Sequence, residues 1–182
     1  MHAKLIFDSL INTFNNMGYK ITTKDARKVR DAFLSSIMNI AMSGDERLTI
    51  RHLGVFYKSR GKMRFKPAAV FKDRLNNGFK SGPYPCLSKQ VIDIMEAILS
   101  EYRWTREVHE SIYRSMFTLI ETELAVTGKI RFTGWGTFYT ADVAPRHYVT
   151  AKDPTGHVFK PRHMTVRFKP STVPSKNLLN LH

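Results

Sequence analysis

The sequence is poor in cysteine, acidic residues and long apolar runs, and each shortage excludes a class of protein. The single cysteine, Cys86, allows no internal disulfide and no zinc site of the common cysteine-rich kind. No run of about 18 apolar residues occurs. The opening MHAKLIFDSLINTF carries Asp8 and lacks a small-residue cleavage site. We therefore expect a protein of a reducing compartment that is neither secreted nor inserted in a membrane.

Patterns typical of catalysis and metal binding are also missing. His109-Glu110 lacks the second histidine of a zinc-protease motif, and His157 and His163 have no cysteine co-ligand at short spacing. No glycine-rich phosphate loop stands out, and neither does the serine, histidine and aspartate order of a hydrolase. We expect that the protein is not an enzyme and uses no metal or other cofactor.

Positive charge is present in excess. The chain has 29 Lys and Arg residues against 15 Asp and Glu, which gives a net charge of +14. This excess indicates a polyanionic partner, with nucleic acid as the first candidate. Nine Lys and Arg lie from Lys129 to the end with only Asp142 and Asp153, whereas seven carboxylates lie from Asp93 to Glu123. Such sorting favours a basic face, although a single charge run is more commonly a solvated surface.

Two short motifs each occur twice, at different spacings. Gly-x-Phe occurs at residues 54–56 and 136–138, which are 82 residues apart. Arg-Phe-Lys-Pro occurs at 64–67 and 167–170, which are 103 residues apart. The second copy therefore holds 21 additional residues between its Gly-x-Phe motif and its Arg-Phe-Lys-Pro motif.

The predicted elements repeat in the same order as the motifs. In the first copy, apolar residues at three- and four-residue steps predict a helix from Lys4 to Met17 and a second helix capped by Thr22. Two alternating strands follow, joined by a tight turn at Gly61-Lys62, and Pro67 suits the first turn of a short helix.

The same order restarts after a linker. Residues 77–86 contain glycine, proline and asparagine without a period, as a linker does. A helix then begins at Ser88, and Thr105 is predicted to cap the next one. We expect a tandem duplication, with repeats at residues 1–76 and 87–182.

The order and spacing of these motifs carry a family resemblance. The second copy contains Gly134-Trp135-Gly136-Thr137-Phe138, Asp153-Pro154-Thr155-Gly156 and Phe168-Lys169-Pro170, and the first contains Leu53-Gly54-Val55-Phe56 and Phe65-Lys66-Pro67. The set resembles the HU and integration-host-factor family of bacterial histone-like DNA-bending proteins. His52 replaces the first glycine of the turn in copy one, and Lys152-Asp153-Pro154 stands where the family usually has Arg-Asn-Pro.

The resemblance implies an α+β fold. Each repeat would have two helices, a three-stranded antiparallel sheet with a β-hairpin arm, and a short C-terminal helix. The two repeats would form a pseudo-dimer within one chain. The first copy would have a truncated arm, whereas the second would have a full arm from Tyr139 to Val166.

The resemblance also implies a function. The protein would be an architectural, nucleoid-associated protein of the cytoplasm that bends or compacts double-stranded DNA, largely without sequence specificity. Phosphate or minor-groove contacts are expected from Arg51, Lys58, Arg60, Lys62, Arg64, Lys66, Arg131, Arg146, Lys152, Lys160, Arg162, Arg167 and Lys169. Pro154 would be a wedge between base steps, or simply part of a turn.

Several alternatives stay open. A structural protein of a virion or assembly could use the same fold to contact another protein, and a viral gene would place it in a virion or the cytoplasm of an infected cell. RNA binding is a third possibility. The aromatic residues Phe56, Phe65, Trp135 and Phe138 are expected in the core rather than stacked on bases.

Overall fold

The protein has a mixed α+β fold with antiparallel sheets, in a computed structural model that describes residues 2–44, 46–148 and 158–172. Within these residues the helices are α1 (His2–Asn16), α2 (Thr23–Met42), α3 (Ala69–Asn76), α4 (Lys89–Ile98) and α5 (Arg106–Val126). The strands are β1 (Leu48–Ile50), β2 (Gly54–Ser59), β3 (Lys62–Pro67), β4 (Lys129–Phe132), β5 (Gly136–Val143), β6 (Arg146–Tyr148), β7 (Val158–Lys160) and β8 (His163–Pro170). None of the described helices is long and apolar enough to cross a membrane.

The two long helices begin differently. At the start of α2, the Thr22 hydroxyl accepts a hydrogen bond from the Asp25 N–H at 3.1 Å, and the Asp25 carboxylate accepts one from the Thr22 N–H at 2.9 Å. The bond from the Thr22 backbone, with a further one from the Tyr102 hydroxyl, lowers the pKa of Asp25. Thr105 precedes α5 but its side chain makes no capping bond, so that part of the prediction is wrong.

Two three-stranded sheets form, in the orders β1-β2-β3 and β4-β5-β8. The turn between β2 and β3 lies one residue earlier than predicted. Arg60 and Gly61 have φ angles of 53° and 75°, as both central residues of a type I′ hairpin turn require. Lys62 therefore pairs with Ser59 inside the ladder. Pro67 also differs from prediction, because it ends β3 instead of opening α3.

The turn before the second strand has the same backbone in both sheets. His52 and Gly134 have φ angles of 69° and 78°. Each turn is closed by a hydrogen bond of 3.0 Å, from the Leu53 N–H to Ile50 in one sheet and from the Trp135 N–H to Phe132 in the other. The two turns thus have the same conformation although His52 stands where the second sheet has Gly134.

The core is one continuous cluster that includes residues of both halves of the chain. Phe56, Phe65, Trp135 and Phe138 are at most 9% exposed, which confirms their predicted place in the core. The rings of Phe65 and Phe138 lie 5.4 Å apart, edge to face. The Trp135 indole N–H donates to the carbonyl of Leu34 in α2 at 3.1 Å, so that this buried polar group is satisfied.

The helices of the two halves pack reciprocally. Helix α1 contacts α5, and α4 contacts α2, while β3 and α3 lie against β8. Phe33 of α2 and Phe117 of α5 meet edge to face at 5.2 Å. Each half therefore covers apolar surface of the other.

The segment 77–86 has no helix or strand but is held to both halves. The Cys86 N–H donates to the Arg51 carbonyl at 2.9 Å, and the Tyr113 hydroxyl donates to the Cys86 carbonyl at 2.7 Å. The Arg74 guanidinium donates to the Ser81 carbonyl at 2.7 Å. This segment is thus tied to the body by hydrogen bonds at Ser81 and Cys86.

Candidate nucleic-acid interface

The face of the second sheet that points away from the core is lined with cations. Strand alternation buries Ile130 and Phe132 and directs Lys129 and Arg131 outward. Across the strands, Arg131 is aligned with Thr137 and Lys169, and Lys129 is aligned with Tyr139 and Arg167. The four cations of these rows are exposed.

The outer face of the first sheet repeats this arrangement. Val55 pairs with Lys66, and Tyr57 pairs with Arg64. The Arg47 guanidinium carbon lies 5.3 Å from the centre of the Tyr57 ring, a cation–π distance. The row Arg47, Tyr57 and Arg64 thus corresponds to the row Lys129, Tyr139 and Arg167 in the second sheet.

Both outer faces are concave and carry no acid. A groove of about 490 Å³ on the second sheet is lined by Lys129, Arg131 and Lys169, and one of about 570 Å³ on the first by Arg47, Arg51 and Lys66. Neither groove has a carboxylate in its lining. A polyanion would therefore meet uncompensated positive charge on either face.

The helical side is different, because several of its carboxylates are paired with cations. Arg106 lies 2.6 Å from Asp93 and 3.1 Å from Glu96, and these carboxylates raise its pKa. Lys28 lies 3.1 Å from Glu101. The charge sorting predicted from the sequence is thus a difference between the sheet faces and the helices.

Three predicted contact residues lie outside the rows of the outer faces. Arg51 is exposed in the turn between β1 and β2, and Arg60 is exposed in the hairpin turn between β2 and β3. Lys58 pairs with Met63, which is buried, so it belongs to the opposite side of its sheet. Lys62 does lie with Arg64 and Lys66 on the outer side.

The arm continues the second sheet beyond the length of the first. In the outer segment, Arg146 is aligned with Lys160 in the β6–β7 ladder. Near the base, Arg162 lies 3.0 Å from Asp142, which partly compensates its charge. Lys152 and Pro154 lie outside the described residues.

Two prolines interrupt the arm at the same level. The register of β6 and β7 continues that of β5 and β8, which aligns Pro145 with Pro161 across the gap between the two ladders. Proline has no N–H to donate to a ladder, so neither strand can close the sheet there. The arm consequently has a base, continuous with the body, and a separate outer segment.

Four residues of the outer faces were not predicted from the sequence, namely Arg47, Tyr57, Lys129 and Tyr139. Their signal was present, since strand alternation puts them on the same side as Arg64 and Arg167. The spacing of 82 residues between Arg47 and Lys129 also matches that of the Gly-x-Phe motifs.

His109 is the one motif residue whose setting is unexpected. It is 2% exposed, and its Nδ1 atom has no hydrogen-bond partner among the described residues. Burial lowers its pKa. No group of three or more His, Cys, Asp or Glu side chains that could hold a metal ion occurs in the described ranges.

A comparison with protein families bears on this surface. Residues 90–178 match the family model described as Bacterial DNA-binding protein. The match covers just under half of the 182 residues, begins in α4, and includes the basic rows of the second sheet and the sequence of the arm. Neither the curated proteins nor the solved structures gave a match.

Proposed function

We propose that this protein is an architectural DNA-binding protein that bends or compacts double-stranded DNA and catalyses no reaction. The observation that carries the proposal is the corresponding row of two cations and a tyrosine on each sheet, in a chain whose residues 90–178 match the family model of bacterial DNA-binding proteins. Exposed Lys and Arg side chains on strands suit phosphate contacts, which do not depend on base sequence. We accordingly expect little sequence preference.

We further propose that the two halves, residues 1–76 and 87–182, are tandem copies that form a pseudo-dimer joined by residues 77–86. The reciprocal packing of α1 on α5 and α4 on α2 supports this, as do the matching turns at Leu53 and Trp135. A copy of this size alone would leave an apolar helix and sheet face uncovered, and the second copy covers it.

The pseudo-dimer would hold DNA asymmetrically. The second half has the long arm, whereas Arg60 and Gly61 close the hairpin of the first half directly. We propose that the arm enters the minor groove, with Arg146, Lys152, Lys160 and Arg162 near phosphates and Pro154 as a wedge between base steps. One arm then produces one kink. The site of action would be the nucleoid, or viral DNA if the gene is viral.

The phosphate contacts can be tested through the salt dependence of binding to a short duplex. Wild-type affinity should fall steeply between about 50 and 300 mM salt, since each phosphate contact releases counterions. The variant Arg64→Gln/Arg167→Gln changes one residue of each row, and should lower the magnitude of the slope of log K against log salt by about 1.8.

A matched control uses the same charge change on the helices. Lys4→Gln/Arg114→Gln alters two exposed cations of α1 and α5, and should leave the slope close to that of the wild type. A flat salt response of the wild-type protein would refute the proposed function. An equal loss in both double variants would show that net charge alone acts and that the sheet faces are not the site.

The role of the arm can be tested by copying the first half onto the second. Replacing residues 142–164 with Arg-Gly would reproduce the hairpin in which Arg60-Gly61 joins Ser59 to Lys62. Binding should persist, whereas bending, measured by fluorescence energy transfer between the duplex ends, should be lost. An unchanged bend would contradict the proposed role of the arm, and a preference for duplex RNA or single strands would contradict the proposed substrate.

A further inference from the structure

Asn76, the last residue of α3 in the first half, is bonded to the base of the arm in the second half. Its side-chain N–H donates to the Met164 carbonyl at 3.1 Å, and its side-chain oxygen accepts from the Met164 N–H at 2.9 Å. Its Nδ2 group also donates to the Lys72 carbonyl at 2.7 Å, which fixes the amide against its own helix. One side chain thus joins two elements that are 88 residues apart in sequence.

The backbone of Met164 is available for this contact because β8 is an edge strand. The sheet order β4-β5-β8 leaves one side of β8 without a hydrogen-bonded strand, and the N–H and C=O of alternate residues point to that side. A side-chain amide has one acceptor and a donor group, so it can pair with both groups of one residue as a strand would. Asn76 therefore takes the place of a neighbouring strand at this point.

The contact lies just before the interruption of the arm. Met164 is the second residue of β8, and the aligned Pro145 and Pro161 lie three residues from the Asp142–Met164 pair toward the arm tip. The bond thus holds the last part of the arm that is continuous with the body. Beyond it, neither strand is tied to the sheet by a ladder across the prolines.

We propose that Asn76 is a positioning residue that sets the direction of the arm relative to the basic sheet faces. The inference rests on the proposed function, because it assigns to the armless half a role in aiming the arm of the other half. By the 103-residue spacing of the copies, the position corresponding to Asn76 is Leu179, whose side chain can neither donate nor accept. An equivalent side-chain contact from the second half to the short hairpin of the first half is therefore not possible at this position.

The test compares Asn76→Ala and Asn76→Asp with the neighbouring control Asn77→Ala. Asn76 and Asn77 are both exposed. Asn76→Ala should accelerate hydrogen exchange of the Met164 amide about fivefold or more, since one lost hydrogen bond changes a local opening equilibrium by about that factor. Asn76→Asp keeps an acceptor for the Met164 N–H and should exchange more slowly than the alanine variant. Asn77→Ala should match the wild type.

The second measurement is the DNA bend, by energy transfer between the ends of a labelled duplex. Asn76→Ala should give a smaller mean bend with a broader distribution, while the slope of log K against log salt stays unchanged, because no phosphate contact is removed. If Asn76 only stabilised the fold, Asn76→Ala would lower the melting temperature, but it would not change the bend while leaving the salt slope unchanged.

Four outcomes decide the matter. Faster Met164 exchange with a smaller or broader bend, relative to Asn77→Ala, supports the inference. Unchanged Met164 exchange in both Asn76 variants overturns it, as does faster exchange with an unchanged bend. Failure of the wild-type protein to bend duplex DNA overturns the proposed function and this inference together, and is recognised before any variant is measured.

Discussion

The ion pair between Arg74 and Glu121 should be a main determinant of stability, because it is buried between the two halves. Arg74 of α3 is 3% exposed and Glu121 of α5 is 6% exposed. Two guanidinium nitrogens of Arg74 reach the two carboxylate oxygens of Glu121, at 2.5 and 3.0 Å. The Arg74 side chain also lies 4.6 Å from the Tyr84 ring centre. Removing Glu121 would leave a buried cation whose remaining described acceptor is the Ser81 carbonyl.

The magnitude follows from this burial. Breaking a buried pair by removal of one partner costs about 3–5 kcal/mol, whereas an exposed pair contributes about 0–1 kcal/mol. For a chain of this length, 1 kcal/mol shifts the melting temperature by about 2–4 °C. Glu121→Met should therefore lower the melting temperature by about 6–20 °C.

The double variant Arg74→Leu/Glu121→Met should recover most of this loss. Replacing a buried ion pair by apolar side chains of similar volume is often neutral or stabilising. The first half offers a precedent, since aligning the buried Ile37 of α2 with the buried Ile120 of α5 makes Met38, which is 7% exposed, the counterpart of Glu121. In that case the loss of stability in the single variants would come mainly from the buried charge that is left unpaired, and less from the lost attraction between the two side chains.

The assay is urea unfolding followed by circular dichroism, for the wild type, both single variants and the double variant. Each of the two single variants should be several kcal/mol less stable than the wild type. The loss of stability in the double variant should be much smaller than the sum of the two single losses. A loss of less than about 1 kcal/mol in Glu121→Met would refute the reasoning, since that is the value of a surface pair. The reasoning would also be refuted by a double variant that is no more stable than the less stable of the two single variants.

Two further predictions concern single residues. Because burial lowers the pKa of His109 below its usual 6.5, the unfolded chain binds the proton more readily. The free energy of unfolding should therefore be at its full value above about pH 6.5 and fall below it, by at most about 1.4 kcal/mol per pH unit, and His109→Gln should flatten this slope in urea titrations. Gly136→Ala should lower the melting temperature in scanning calorimetry by several degrees, because its Cβ would overlap the Phe168 ring and the Lys169 carbonyl, whereas Gly18→Ala, with open space around it, should cost less.

Patterns within short stretches could be predicted well from the sequence. Helix stripes depend on residues three and four apart, and the capping box of Thr22 and Asp25 depends on residues three apart, so no tertiary information was needed. Boundaries were less certain. The hairpin turn lies one residue earlier than the predicted Gly61-Lys62, and this changes each pairing between β2 and β3 by two positions, so that Met63 pairs with Lys58 instead of Arg60. Lys62 consequently belongs to β3 and not to the turn.

The sequence alone determined that the chain is basic, that two motifs occur twice with 21 additional residues between the second pair, and that Phe56, Phe65, Trp135 and Phe138 lie in the core. Only the tertiary structure decided which cations share a face, since that depends on strand register and placed Arg47 and Lys129 in the rows but Lys58 outside them. It alone also decided that Arg74 meets Glu121 and that Asn76 meets Met164. These contacts join residues 47 and 88 positions apart, and no local period connects such residues.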